Sequence, residues 1–324
     1  AIGRMNSLFH LGQWKRLELV SSQGENPISR YFYAAAVFHL HNFQRIPDSM
    51  APFSFQATIF AAAKAVCDRQ LDKASKILDD APVASGLHSL QILQMKEIIV
   101  HFRHQTDPVL LKSQWEQRLQ SLEYSLQVWR ALVPMRALVF DPFTEDIDIL
   151  VRYSTVARKK ESLAFSEGII ASLEADPRSA AHHGVVLAKI TNLYAANRLE
   201  EAIDGLDVFL KKNLLIDKQL LSKCNLALAL WLPHMDMRVP DLLARSVALN
   251  PESYKSRSAL ALSQFKDLRP DSPPAAVVDT VRSLFKCIAL SVSAPLQDVL
   301  RIITLWFKWY DGSGSCSGGI RSRL

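Results

Sequence analysis

Cysteine is scarce. Cys67, Cys224, Cys287 and Cys316 are the only four in 324 residues, and no two are close enough to form a C-x-x-C pair. That spacing argues against a thiolate zinc cage and against a disulfide framework, and it fits a reducing compartment. Long apolar runs are missing as well: a run such as Leu226 to Leu232 falls far short of the roughly 20 residues that a membrane-spanning helix requires. No membrane span is therefore expected. Glycine is sparse, at 11 residues, four of which crowd into the single stretch GSGSCSGG. No glycine-rich phosphate loop can be found, nor an Asp-Phe-Gly metal motif, a His-Arg-Asp catalytic loop or an HExxH helix. The usual announcements of catalysis are absent, so the expectation is a chain that is not an enzyme and needs no cofactor or metal. Charge of one sign is not dominant either. The 38 Lys and Arg exceed the 32 Asp and Glu by six, but bases and acids are interleaved, and direct nucleic-acid binding is not expected.

What is present is apolar residue at helical spacing, 49% of the chain counting alanine and the aromatics. No run alternates as a half-buried strand would, so the class is all-α. Gly12 separates a first pair, Met5 to Leu11 and Trp14 to Val20. Tyr31 to Phe43, Phe53 to Cys67, Leu71 to Leu78 and Ser89 to His104 follow. Asp107-Pro108 reads as an N-cap with a first-turn proline, opening a long helical strut from Val109 to about Val133 that Pro134 kinks or ends. Asp141-Pro142 and Asp176-Pro177 are 35 residues apart, close to the 34-residue tetratricopeptide period. They bracket a hairpin of Thr144 to Ala157 and Leu163 to Leu173. Val185 to Ala196 pairs with Leu199 to Leu210, and Lys218 to Trp231 with Val239 to Leu249. Asn250-Pro251 then starts Tyr254 to Lys266. The architecture expected is an α-solenoid of TPR/HEAT-like hairpins over residues 1–310, with a Gly/Ser-rich disordered tail over 311–324.

Chemistry-bearing residues read mostly as structure. Among His39/His41, His101/His104 and His182/His183 only the middle pair shares a helical face, and no carboxylate or thiol accompanies it in sequence. Cys67 and Cys224 sit on apolar faces, where a thiol more often fills space than reacts. Trp115 and Trp129 could line a partner groove, but their spacing favours a hairpin core.

One stretch, LQDVLRIITLWFKWY from Leu296 to Tyr310, is apolar nearly all round, leaving Gln297, Arg301, Thr304 and Lys308 as a polar stripe. Such a helix needs helices packed on both sides. Leu296-Gln297-Asp298, Leu300-Arg301 and Thr304-Leu305-Trp306-Phe307 closely resemble the LQD-x-LR-x-x-TLWF segment in the FAT region of the target-of-rapamycin (TOR) kinases, members of the phosphatidylinositol-3-kinase-related protein kinases. Further matches run in the same order: Leu11-Gly12-Gln13-Trp14; Phe32-Tyr33 with Ala35; Trp115-Glu116, Arg118-Leu119-Gln120 and Trp129; Arg136 with Leu138-Val139; Tyr153 with Leu163-Ala164; and Tyr254-Lys255.

The resemblance implies a non-catalytic scaffold segment of a TOR-like serine/threonine kinase. It would wrap the kinase domain of the parent chain and hold TOR-complex-type protein subunits in growth and nutrient signalling, in the cytoplasm, on endomembranes or in the nucleus as part of a complex. The family-motif residues Trp14, Trp115, Glu116, Arg118, Leu119, Trp129, Leu296, Gln297, Asp298, Leu300, Arg301, Thr304, Leu305, Trp306 and Phe307 are expected to be structural. No position matches the family's ATP- or rapamycin-binding residues. Two departures stand out. The variable insertion that precedes the LQD helix in the family is here at most the loop Arg269 to Pro274, and Gly/Ser residues follow Tyr310 where further helices are expected. Together with a start at Ala1, this reads as a fragment that should self-associate through an uncapped face. The competing reading is a stand-alone TPR-type adaptor that binds peptides in a concave groove.

Overall fold

The computed structural model describes residues 2–48, 54–82, 85–122, 125–160, 162–212, 217–233 and 236–267, with the isolated positions 279–280, 282–283, 304 and 307 beyond them. The chain divides into two compact units, Ala1–Arg198 and Leu199–Leu324. All regular structure among the described residues is helical.

The first unit runs α1 (Ile2–His10), α2 (Trp14–Ser21), α3 (Pro27–His39), a 3-10 turn (Phe43–Arg45), α4 (Phe55–Cys67), α5 (Leu71–Asp79) and α6 (Gly86–His104). It continues with α7 (Pro108–Ser121), α8 (Leu126–Arg136), α9 (Ile147–Lys159), α10 (Leu163–Glu174), the short α11 (Pro177–Ala180) and α12 (His183–Ala195). Consecutive helices close into hairpins, α2 on α3, α4 on α5 and α9 on α10, with α12 covering both α9 and α10. The second unit contains α13 (Leu199–Lys212), α14 (Lys218–Trp231), α15 (Val239–Leu249) and α16 (Tyr254–Asp267). Its α14 and α15 form a tight hairpin on which α16 packs.

Seven of the helix starts have a local cause in a capping side chain. Side chains of Asn26, Ser54, Ser85, Asp107, Ser125, Asp176 and Asp217 accept a hydrogen bond from a first-turn N–H that has no partner inside its helix. Helix ends are equally regular. Gly12, His41, Arg69 and Asn197 all take positive φ, between 61° and 67°. Each donates its N–H to the carbonyl three residues back, while the next residue donates to the carbonyl five back, as in Gly12 to Phe9 with Gln13 to Leu8, and His41 to Phe38 with Asn42 to Val37. Only Gly12 has a further constraint: a Cβ there would lie 1.8 Å from Phe165 Cδ2.

Small polar side chains pin the helices in register. Ser154 of α9 meets Ser166 of α10 at 2.8 Å, and the Ser166 hydroxyl donates to Asn192 Oδ1 of α12 at 2.9 Å. In the second unit Ser222 of α14 and Ser246 of α15 exchange hydroxyl-to-carbonyl bonds of 2.7 and 2.8 Å, and Ser246 Oγ continues to Ser256 of α16 at 2.9 Å. All six residues are buried.

Two expectations are corrected. The single strut from Val109 to Val133 is two helices, α7 and α8. Leu122 closes the first, and Ser125 caps the second by accepting from the Val128 N–H, so a serine inside an apolar pattern ends the helix instead of facing water. Asp141-Pro142 does not open α9 directly. The Asp141 carbonyl accepts from the backbone N–H groups of Thr144, Glu145 and Asp146, a turn that delays the helix to Ile147. The tail assigned to 311–324 lies outside the described residues.

Candidate functional site

The family-motif residues of the first unit are joints between helices. Trp14 is the first residue of α2, set there by the Gly12 turn. Its ring stacks on His39 at the end of α3, 3.9 Å between centroids and 7° from parallel, and meets Phe9 and Phe165 edge-on at 5.7 and 6.3 Å.

Trp115 is 1% exposed on α7, and its Nε1 donates to Glu97 Oε2 of α6 at 2.8 Å. Arg118, one turn further on, forks onto the same carboxylate, Nη1 to Oε2 at 3.0 Å and Nη2 to Oε1 at 2.8 Å. One acid thus receives three donors from two residues spaced i, i+3 on one face of α7. Leu119 is buried beneath them. Glu116 is half-buried and takes no part in this joint. The acid that matters, Glu97, carries no signal in the sequence, because it lies on another helix.

Trp129 of α8 is fully buried and lies near-parallel to Tyr153 of α9, centroids 6.1 Å apart. Arg136, at the end of α8, is 1% exposed; its Nη2 donates to Asp146 Oδ1 at 2.7 Å and its Nε to Oδ2. The guanidinium also sits 5.5 Å from both the Trp115 and Phe140 rings, and Lys112 of α7 reaches the Glu145 carbonyl beside Asp146. Trp115 and Arg136 therefore belong to one connected joint that ties α6, α7 and α8 to the start of α9.

Within this unit the α1–α2 turn, the end of α3, α9 and α10 enclose a cavity of about 970 Å³, lined among others by Trp14, His39, His41, Tyr153, Phe165 and Gly168. Both imidazoles are held neutral. Burial pushes His39 well below its ordinary value, helped by the charge of Arg130, and pushes His41 down to about 4 against the opposing pull of Asp146. Burial likewise raises the Tyr153 hydroxyl, with Arg130 acting the other way. Aromatic faces, two neutral imidazoles and a phenol can bind or orient a ligand, but no nucleophile with an adjacent base is assembled here.

The other candidates resolve as structure. His101 Nδ1 contacts the Thr106 carbonyl and hydroxyl beyond the end of α6. Among the described residues no three His, Cys, Asp or Glu gather as a metal site. Burial raises the Cys67 thiol and takes that of Cys224 up to about 11, so neither is a ready thiolate. Among the described residues no helix is long and apolar enough to cross a membrane. Of the LQD segment, Leu296, Gln297, Asp298, Leu300, Arg301, Leu305 and Trp306 lie outside the described residues. Thr304 and Phe307 are helical, and Phe307, expected on a covered face, is 58% exposed.

The FAT domain matches residues 6–304. Serine/threonine-protein kinase mTor of Drosophila melanogaster is 24% identical over 396 aligned positions, covering 95% of this chain and 16% of that protein. Serine/threonine-protein kinase TOR of Arabidopsis thaliana is 24% identical over 274 positions, covering 67% and 11%, and TOR2 of Saccharomyces cerevisiae is 21% identical over 384, covering 92% and 15%. The chain thus spans 16% or less of the length of these relatives. The solved structure of yeast Tom70 superimposes with a TM-score of 0.49 at 12% identity, over 97% of this chain and 61% of that one.

Proposed function

The chain belongs to the FAT domain family, and from that premise we propose that it positions the kinase domain of a TOR-type serine/threonine kinase and offers docking surfaces to the subunits of its complex. The matched segment is the non-catalytic FAT domain, not the kinase domain. The observation that carries the proposal is the connected joint of Trp115, Arg118 and Glu97 with Arg136 and Asp146. Arg136 and Asp146 are buried, and charges at that depth hold their geometry only when the partners are in place, while Glu97 and Arg118 are partly buried. Four successive helices are locked in this way without forming a catalytic site, which is what a frame requires. Growth and nutrient signalling, in the cytoplasm, on endomembranes or in the nucleus, is the setting this role entails.

The test is made in the full-length parent kinase. Glu97→Gln and Arg136→Met are introduced separately, and both substrate phosphorylation and co-purification of complex subunits are followed. A framing role requires that both fall while ATP-analogue binding by the full-length variants is unchanged. Wild-type activity and subunit recovery in both variants would refute it.

A further inference from the structure

Between α9 and α10 the sequence reads Arg158-Lys159-Lys160-Glu161-Ser162-Leu163. Three cations stand four, three and two residues before a serine, and a leucine follows it. A kinase with an acidic substrate groove and an apolar seat beyond the acceptor selects this pattern by charge and shape.

The pattern alone does not single out Ser162. Ser7, Ser121 and Thr155 also follow an arginine by three residues and precede an apolar residue. The structure separates them. All three lie within helices, α1, α7 and α9, and each hydroxyl donates to a carbonyl three or four residues back in its own helix. An acceptor hydroxyl has to reach the catalytic base of the kinase, which a helix and an internal bond both oppose. Ser162 stands outside both helices, immediately before Leu163 opens α10, and its side chain makes no capping bond. Its hydroxyl is neither bonded nor enclosed. Only backbone bonds at the end of α9 hold the turn, from the Lys160 N–H to the Val156 and Ala157 carbonyls and from the Ser162 N–H to the Ala157 carbonyl. Helix ends are where local opening costs least.

The cations of the turn are uncommitted. Lys159 and Lys160 are exposed, and among the described residues neither they nor Arg158 make a salt bridge. Arg158 is half-buried, and burial with no acid to oppose it pulls its guanidinium below the ordinary value. The bond from the Ser162 N–H to the Ala157 carbonyl, 3.0 Å long, brings the serine back beside Arg158. Against these cations stand Glu161 in the sequence and, past the first turn of α10, the exposed Glu167. A phosphoryl group on Ser162 carries close to two negative charges and three strong acceptor oxygens. It would meet the three cations and the uncapped first-turn N–H groups of α10, so the modified turn is better satisfied than the unmodified one.

We propose that Ser162 is a phosphoacceptor for a basophilic serine/threonine kinase, and that the phosphoserine fastens the end of α9 to the start of α10. In the transfer, Ser162 Oγ bonds to the γ-phosphorus of MgATP as the bond from that phosphorus to the β–γ bridging oxygen breaks. The hydroxyl proton passes to the base of the kinase, and ADP leaves.

The test incubates the folded full chain with MgATP and the catalytic subunit of cyclic-AMP-dependent kinase, a probe that selects basic residues three and two positions before serine. Peptide mass spectrometry then maps the product. Phosphate on Ser162, and none on Ser7, Ser121 or Thr155, is expected. Ser162→Ala removes an unbonded hydroxyl, so it should melt as wild type does while taking up no phosphate. Lys159→Gln combined with Lys160→Gln should slow transfer by about tenfold. The phosphorylated chain should melt about 2 °C above the unmodified one, with a smaller rise in Arg158→Gln. Transfer to Ser162 only after unfolding in urea, transfer undiminished in the double lysine variant, or a phosphorylated chain that melts no higher would each overturn the assignment.

Discussion

Arg178 of α11 reaches back to Asp141, with Nη1 2.6 Å from Oδ2, while its Nε and Nη2 hold Asp176 at 3.0 and 2.8 Å. The two Asp-Pro steps that mark the repeat in the sequence are therefore in contact through one guanidinium. Asp236 and Arg238 build the same Asp-x-Arg turn in the second unit, without the third partner. The Arg178 bridge is solvent-exposed and open to screening. Arg178→Ala should lower the melting temperature detectably in 20 mM salt and by an amount within error in 1 M salt. Equal losses at both would show that packing, not charge, connects the repeats.

Breaking the Arg136–Asp146 pair should be far more damaging. Asp146→Ala strands the buried Arg136 charge, at a cost of about 3–5 kcal/mol, whereas Arg136→Met leaves Asp146 with Lys112, 3.8 Å away, and should cost less. Replacing both, as Arg136→Met with Asp146→Leu, should recover most of that. Urea unfolding followed by circular dichroism measures the difference, and a double variant as weak as the singles would count against a paired role.

Gly12→Ala combines positive φ with a collision against Phe165. A loss of at least about 1 kcal/mol is expected from the backbone alone. Pairing it with Phe165→Ala opens the space but not the φ, so the added cost of Gly12→Ala in that background should shrink without vanishing.

Stability should depend on pH through His39 and His41. The unfolded chain protonates these residues near the ordinary value of 6.5, whereas the folded chain refuses the proton until much lower, about 4 for His41. Their contribution is complete above pH 6.5 and is lost as pH falls from there towards the folded values, by on the order of 1 kcal/mol by pH 5.5. His39→Phe keeps a flat ring against Trp14, and its melting temperature should fall less than that of wild type between pH 7.5 and 5.5. Identical pH profiles would exclude His39 as a contributor.

Purified chain incubated with labelled ATP and a generic kinase substrate should transfer no label. Reproducible transfer that co-elutes with the chain through two orthogonal columns would contradict the non-catalytic assignment.

Much of the helical plan could be read from residue pattern, because an amphipathic helix between strong caps is a local object. Lys218–Trp231 and Val239–Leu249 fall where the periodicity places them, and Asp107-Pro108 caps α7 as its chemistry suggests. The break at Leu122–Ser125 was hidden because leucines continue the apolar pattern across it. His41 and Arg69 escaped notice for a different reason, whereas the turn at Asn197-Arg198 was legible. Packing forces a left-handed turn on His41 and Arg69, which do not advertise one, as Gly12 and Asn197 do. Of the Trp115 joint, the tryptophan and arginine were legible on one helix face, but their acceptor was not. Glu97 lies 18 and 21 residues away on a separate helix, and only the fold brings it close.

The two hydroxyl relays, Ser154–Ser166–Asn192 and Ser222–Ser246–Ser256, give the three helices that each one joins an anisotropic elasticity. A helix that slid along its neighbour by one residue would break every link of a relay at once and leave buried hydroxyls unpaired, at about 1–3 kcal/mol each. A helix that merely tilts pivots about those links and loses little. The three helices that each relay joins are therefore stiffer in shear than in bending, so they can change their mutual tilt while their register stays fixed.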